Sequence, residues 1–99
     1  MLYAMIAEMH PDVAVARSLS RPAHLARLEE LKAAGRLVLA GPFPAIDAVD
    51  PGPAGFTGSL IVAEFDTQLA AQAWADNDPY VKAGVYANII AKPFLHVLP

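Results

Sequence analysis

Three histidines, ten carboxylates and no cysteine set the range of side-chain chemistry open to this 99-residue chain. His24 is the histidine whose setting suggests proton transfer. It stands in Ser20-Arg21-Pro22-Ala23-His24-Leu25-Ala26-Arg27-Leu28, near the first turn of an expected helix, at a core position where leucine would pack better. A helix N-terminus is positive and disfavours an imidazolium, and a neutral imidazole near physiological pH is what a general base requires. The plainer alternative is a core histidine whose ring is satisfied by a backbone carbonyl.

Asp78 is the first candidate partner. It precedes Pro79, so capping the next turn is its simplest role, and orienting His24 or protonating alongside it is the functional one. Asp76 lies inside a helical run and reads as solvated. Ser59 follows Gly58 at the head of an apolar strand. Its hydroxyl would hold a substrate or bond a loop. A Ser-His-Asp nucleophilic triad ranks low, because no G-x-S-x-G elbow is present. Arg21 would hold an anionic substrate group or lie on the surface, and Tyr80 and Tyr86 would line a pocket or pack. His10 and His96 read as strand-end residues. Three scattered histidines lack metal-ligand spacing, so no metal site is expected. Glycines 52, 55 and 58 are not followed by Lys-Ser/Thr and a helix, so they do not make a phosphate loop.

The elements that must position these groups alternate along the chain. Met1 to Met9 is short and almost continuously apolar, and predicts a buried strand ended by His10-Pro11-Asp12. A helix is expected from about Ser20 to Ala34, with Ser18 or Ser20 as N-cap, Pro22 in the first turn and Gly35 as the stop; before it, Val13, Val15 and Leu19 fit either a loose helical lead-in or a loop. His24, Leu28 and Leu31 would face the core, with Arg27, Glu30 and Lys32 toward the other side. Arg36 to Ala40 predicts a second strand ended by Gly41-Pro42, followed by a proline-rich loop to Thr57 of a length often tied to function. Gly58 to Phe65 predicts a third strand. Asp66-Thr67 would cap a second helix with Leu69, Ala70, Ala73 and Trp74 as its apolar stripe, ending by Asp78 before Pro79. Asp78 to Gly84 predicts a single capped turn, and Val85 to Leu95 the last strand.

The order β-α-β-β-α-β predicts an α+β, ferredoxin-like subunit with two helices on one face of a four-stranded antiparallel sheet. Leu60 and Val62 point one way, and Ile61, Ala63 and Phe65 the other, so the second face is also apolar and needs a cover. The chain is 56% hydrophobic and only 17% charged, more greasy surface than one small core hides. A homodimer with face-to-face sheets, or a higher oligomer, is therefore expected. No apolar run is long enough to span a bilayer, and the start of the chain makes a poor signal peptide. A net charge of −3 without a basic block argues against nucleic-acid or anionic-membrane partners. The lack of cysteine excludes disulfides, thiolate metal sites and a cysteine nucleophile, and fits a cytoplasmic protein.

At Arg21 to Leu28, Gly35-Arg36-Leu37, Ala40-Gly41-Pro42, Asp50-Pro51-Gly52, Ala54 to Ser59, Ala71 to Val81 and Lys92-Pro93-Phe94 the sequence resembles the YCII-related family. The match holds one register over nearly the whole chain. The resemblance implies a single YCII-related domain over residues 1–99, in a dimeric α+β barrel of ferredoxin-like subunits. It also implies a candidate active site on a histidine–aspartate pair, here His24 and Asp78, with Ser59 nearby. Relatives include dehydrochlorinases of chlorinated-aromatic breakdown, and the wider barrel superfamily includes muconolactone isomerases and metal-free monooxygenases, so the fold alone does not select the reaction. The expected function is cofactor-independent elimination or isomerisation of a small cyclic or acidic metabolite. His24 would move the proton, Asp78 would orient it, and Ser59, Arg21 and Tyr80 would bind substrate. The alternative is a non-catalytic dimeric metabolite-binding or accessory protein.

Overall fold

The computed structural model describes Met1–Pro99. In chain order it contains β1 (Leu2–Met9), α1 (Ala14–Ala33), β2 (Leu37–Pro44), a 3-10 turn (Gly52–Ala54), β3 (Phe56–Glu64), α2 (Gln68–Asp76), the short α3 (Pro79–Lys82) and β4 (Tyr86–Phe94). The strands form one antiparallel sheet in the order β2-β3-β1-β4, the ferredoxin-like order expected from the sequence. No helix is long and apolar enough to cross a membrane.

Register divides the side chains between the two faces. Met5 lies opposite Ile61 and Ala91, and its neighbour Ile6 opposite Leu60 and Ile90. Strand alternation therefore sends Tyr3, Met5, Ala7, Ile61, Ala63 and Ala91 beneath the helices, where all six are buried with Leu28 and Leu31 of α1 and Ala71 and Ala75 of α2. The opposite parity leaves Ile6, Leu39 and Ile90 exposed on the other face.

Four local expectations need correction. First, α1 begins at Ala14, not Ser20, and its first backbone bond runs from the Arg17 amide to the Val13 carbonyl. Neither Ser18 nor Ser20 caps it; the Ser20 hydroxyl donates back to the Ala16 carbonyl at 2.6 Å. Pro22 lies inside the helix, exposed to solvent, where its missing N–H gives up one internal bond and packing of the leucine face carries the helix through. Second, β2 continues through Gly41-Pro42 to Pro44. It is an edge strand, where proline is tolerated, so the connecting loop shrinks to residues 45–55, closed at its base by Ala45 N–H donating to the Gly55 carbonyl.

Third, α2 turns a different face to the sheet. Leu69 is 81% exposed, while Ala71 and Ala75 are buried. The Gln72 amide accepts from the Ala91 N–H at 2.8 Å and donates to the Ile89 carbonyl at 2.9 Å, and Gln68 donates to the Ala91 carbonyl at 3.0 Å. Alanines permit the close approach, and the glutamines satisfy the free edge of β4. Fourth, Thr67 alone caps α2, its hydroxyl accepting from the Ala70 N–H.

Candidate functional site

His24 sits about three turns into α1 rather than at its start. The helix N-terminus is too distant to act on it, because dipole effects fade within the first turn. The group that does act on it is Asp78. Both carboxylate oxygens of Asp78 lie 2.9 Å from His24 Nδ1.

The chain places that carboxylate by ending one helix and starting another within two residues. Asn77 closes α2, its amide side chain donating to the Ala73 carbonyl. Pro79 forbids helical backbone at Asp78, which is extended at φ −63°, ψ 138° and caps α3. Its Oδ1 accepts from the Tyr80 N–H at 2.9 Å. Capping and pairing with His24, alternatives in the sequence, are thus performed together by one side chain. Asp78 is 0% exposed and His24 7%.

A second partner contradicts the sequence expectation. Arg27 does not simply face away from the site. Its Nη1 lies 3.6 Å from Asp78 Oδ2, and its Nη2 donates to the Trp74 carbonyl at 2.8 Å. That carbonyl is free near the end of α2 because the Asp78 N–H bonds to Ala75 instead. The guanidinium also stacks over the Trp74 ring, 4.3 Å from its centroid. Arg27 therefore ties α1 to the end of α2 and supplies a counter-charge to a fully buried carboxylate, which would be costly alone.

Tyr80 stacks on His24, with ring centroids 4.0 Å apart and planes 12° from parallel. Tyr86 meets the same ring edge-on at 6.3 Å and 90°. Ser59 stands within β3 rather than at its head. It is buried and shares a 2.6 Å hydrogen bond with the Tyr86 hydroxyl. Burial pushes the Tyr86 phenol up to about 12, with the Ser59 hydrogen bond acting in the opposite sense. Burial also raises Tyr80, and the nearby Arg17 and Arg21 charges partly offset it.

These groups surround a cavity of about 190 Å³ between α1 and the sheet, walled also by Tyr80 of α3. The expected site residues His24, Ser59, Arg21 and Tyr80 all line it, and Asp78 stands behind His24. With Nδ1 engaged by Asp78, His24 Nε2 has no partner within the protein and is not sealed from the cavity. A ring whose Nδ1–H donates to a carboxylate carries its lone pair on Nε2, the arrangement of an oriented base. An apolar cavity of roughly 150 Å³ admits benzene, so this one is sized for a single small ring.

Sequence reading missed Arg17, Arg27 and the Ser59–Tyr86 pairing. Arg17 lines the cavity beside Arg21, with its guanidinium 4.3 Å from the Phe56 ring centroid. One available signal was spacing. Positions 17, 21, 24, 28 and 31 form one continuous helical stripe, visible only once the helix is carried back past Pro22.

The profile of the YCII-related domain matches residues 1–95. The chain belongs to the YCII-related family. Within it, the chain is 57% identical over 97 residues to Protein YciI of Escherichia coli O6:H1, covering 98% of this chain and 99% of that one, and the same figures hold for Protein YciI of Shigella flexneri. It is 50% identical, with the same coverage, to an uncharacterised protein of Haemophilus influenzae. Among solved structures, this YCII-related chain is similar to the 5-chloro-2-hydroxyhydroquinone dehydrochlorinase TftG of Burkholderia phenoliruptrix, in complex with 2,5-dihydroxybenzoquinone. The TM-score is 0.81 at 31% identity, with 97% of this chain and 95% of that one covered.

Proposed function

We propose that this YCII-related chain is a small-molecule enzyme that performs acid–base elimination, or the related isomerisation, on a small ring-shaped metabolite. The observation that carries this reading is the His24–Asp78 pair, in which both carboxylate oxygens lie 2.9 Å from Nδ1 and Nε2 is left unpartnered on a ring that lines a cavity sized for one small ring. His24 is the catalytic base. Asp78 fixes its tautomer and balances the positive charge that develops when the ring takes a proton. In elimination, Nε2 removes a substrate proton, the electrons of that bond form a new π bond, and a leaving group such as chloride departs with the electron pair of the bond it breaks. Isomerisation returns the proton to a different atom. Neither step demands a redox cofactor. Arg21 and Ser59 bind substrate oxygens, and Tyr80 holds the imidazole plane by stacking. Likeness to a dehydrochlorinase over nearly the full chain supports elimination as the first reaction to test.

The working form of this enzyme is proposed to be a homodimer joined through the helix-free sheet face, where Ile6, Leu39, Phe43, Ile90 and Phe94 are all more than a third exposed.

The test is halide release and ultraviolet-monitored turnover on a panel of chlorinated hydroxyhydroquinones and ring-derived lactones. The expected result is turnover of at least one compound, with kcat lowered about 10²- to 10⁴-fold in His24→Gln and in Asp78→Asn. Unaltered turnover in His24→Gln would sink the catalytic reading and leave the binding-protein alternative.

A further inference from the structure

We propose that Arg17 and Arg21 form an anion-binding subsite on the wall shared by two cavities, and that the ligand is a small ring bearing an ionised oxygen substituent. The inference rests on the proposed function for Arg21 as a substrate-binding group and for which end of the ligand reacts; its test is a binding measurement that does not depend on turnover.

Beside the 190 Å³ chamber lies an outer cleft of about 650 Å³, bounded by the start of α1 and by residues 52–57. Only Met9, Arg17 and Arg21 line both spaces. The two arginines therefore stand on the wall shared by cleft and chamber, on the same helical stripe as His24. The chain has four arginines. The side chains of Arg27 and Arg36 each donate to a backbone carbonyl, whereas those of Arg17 and Arg21 make no hydrogen bond and have no carboxylate within ion-pair distance. Arg17 is nevertheless held in place, its guanidinium carbon over Phe56 at 4.3 Å from the ring centroid. A guanidinium stacked on an aromatic face keeps its N–H donors available at its edge.

A second, independent observation comes from the chamber wall. Tyr80 is 3% exposed and its ring lines the chamber, while its hydroxyl is buried beyond the chamber surface without a hydrogen-bond partner. Buried hydroxyls are rarely left so unless a ligand or water completes them. Ser59 and Tyr86 add to the pattern. Their two hydroxyls share one hydrogen bond, so one O–H remains able to donate. The free cationic groups along this path are the two guanidinium groups, against the imidazoles of His24 and His10 and one carboxylate, Asp12, in the outer cleft. Such a lining is complementary to a ligand rich in acceptor oxygens, with a charged oxygen best placed at the two guanidinium groups. The chain as a whole carries a net charge of −3, so the pair is a local positive site and not part of a basic surface.

Isothermal titration calorimetry with two probes of similar size tests this. One is 2,5-dihydroxybenzoquinone, which is anionic at neutral pH; the other is neutral hydroquinone. The full chain should bind the quinone anion at least about tenfold more tightly, and Arg17→Gln and Arg21→Gln should each lose about tenfold for the anion alone. His24→Gln should keep anion binding within a few-fold. Equal affinities for the two probes, unchanged anion binding in both arginine variants, a parallel loss for both probes, or no binding of either at millimolar concentration would each overturn the subsite. If the arginine variants behave as expected while turnover survives His24→Gln, the subsite stands and the catalytic reading falls.

Discussion

At the residue scale, the site is a chain of partners in which each group orients the next. Arg27 and the Tyr80 N–H hold Asp78, Asp78 holds His24 Nδ1, and Tyr80 holds the imidazole plane. Tyr86 is the group here whose titration reports most clearly on burial. Its phenol is raised from 10.0 to about 12, chiefly because its anion would be desolvated. In the folded chain it therefore keeps its proton at pH values where the unfolded chain has lost it. The stability this represents is intact below about pH 10 and is lost as pH climbs through about 12. Tyr86 should contribute a decline of roughly 2 to 3 kcal/mol to denaturant unfolding across that window, which Tyr86→Phe should remove while leaving the part that the raised Tyr80 adds in the same sense. A variant that declines as steeply as the parent would show that Tyr86 is not the responsible group.

At the scale of elements, the site depends on the β1–β3 pairing beside the cavity. Gly58 lies opposite Glu8, and a Cβ there would collide with the Ala7 carbonyl. Backbone cannot yield as a flexible side-chain tip can, so Gly58→Ala should cost about 1 to 3 kcal/mol or more in chemical denaturation. An unchanged midpoint would mean the two strands separate more easily than their register suggests. The element order and the facing of β3 were legible because strand alternation and the stop at Gly35 are local signals. The length of α1 was not. Pro22 is a strong local sign of a helix start, and only packing of the stripe 17, 21, 24, 28 and 31 overrides it. That error hid Arg17 and gave His24 a dipole it does not feel. The facing of α2 was illegible for a related reason, since Gln68 and Gln72 are chosen for bonds to the edge of β4, a partner distant in sequence. Asp78 was legible as a cap from Asp-Pro alone. Its second role requires knowing that α1 passes behind α3, which no spacing within 78–84 encodes.

At the scale of the whole molecule, two helices and a short third cover one face of the sheet and leave the other bare. Ile6 centres that bare face, flanked in register by Leu60 and Ile90. If two copies associate there, a charge at its centre is buried without a partner. Ile6→Arg should convert a dimer into a monomer in light scattering, with far-ultraviolet dichroism unchanged because residue 6 makes no contribution to the helix-side core. A variant that elutes and scatters as the parent does would place any dimer contact elsewhere.

The central claim, that His24 is a base oriented by Asp78 with Nε2 presented to the cavity, is tested most directly by a long-range nitrogen-15 spectrum of the neutral His24 ring. The expected spectrum has a protonated, pyrrole-type Nδ1 and an unprotonated, pyridine-type Nε2, the latter shifting when 2,5-dihydroxybenzoquinone is added as a probe. The opposite tautomer, or an Nε2 resonance indifferent to saturating ligand, would contradict it.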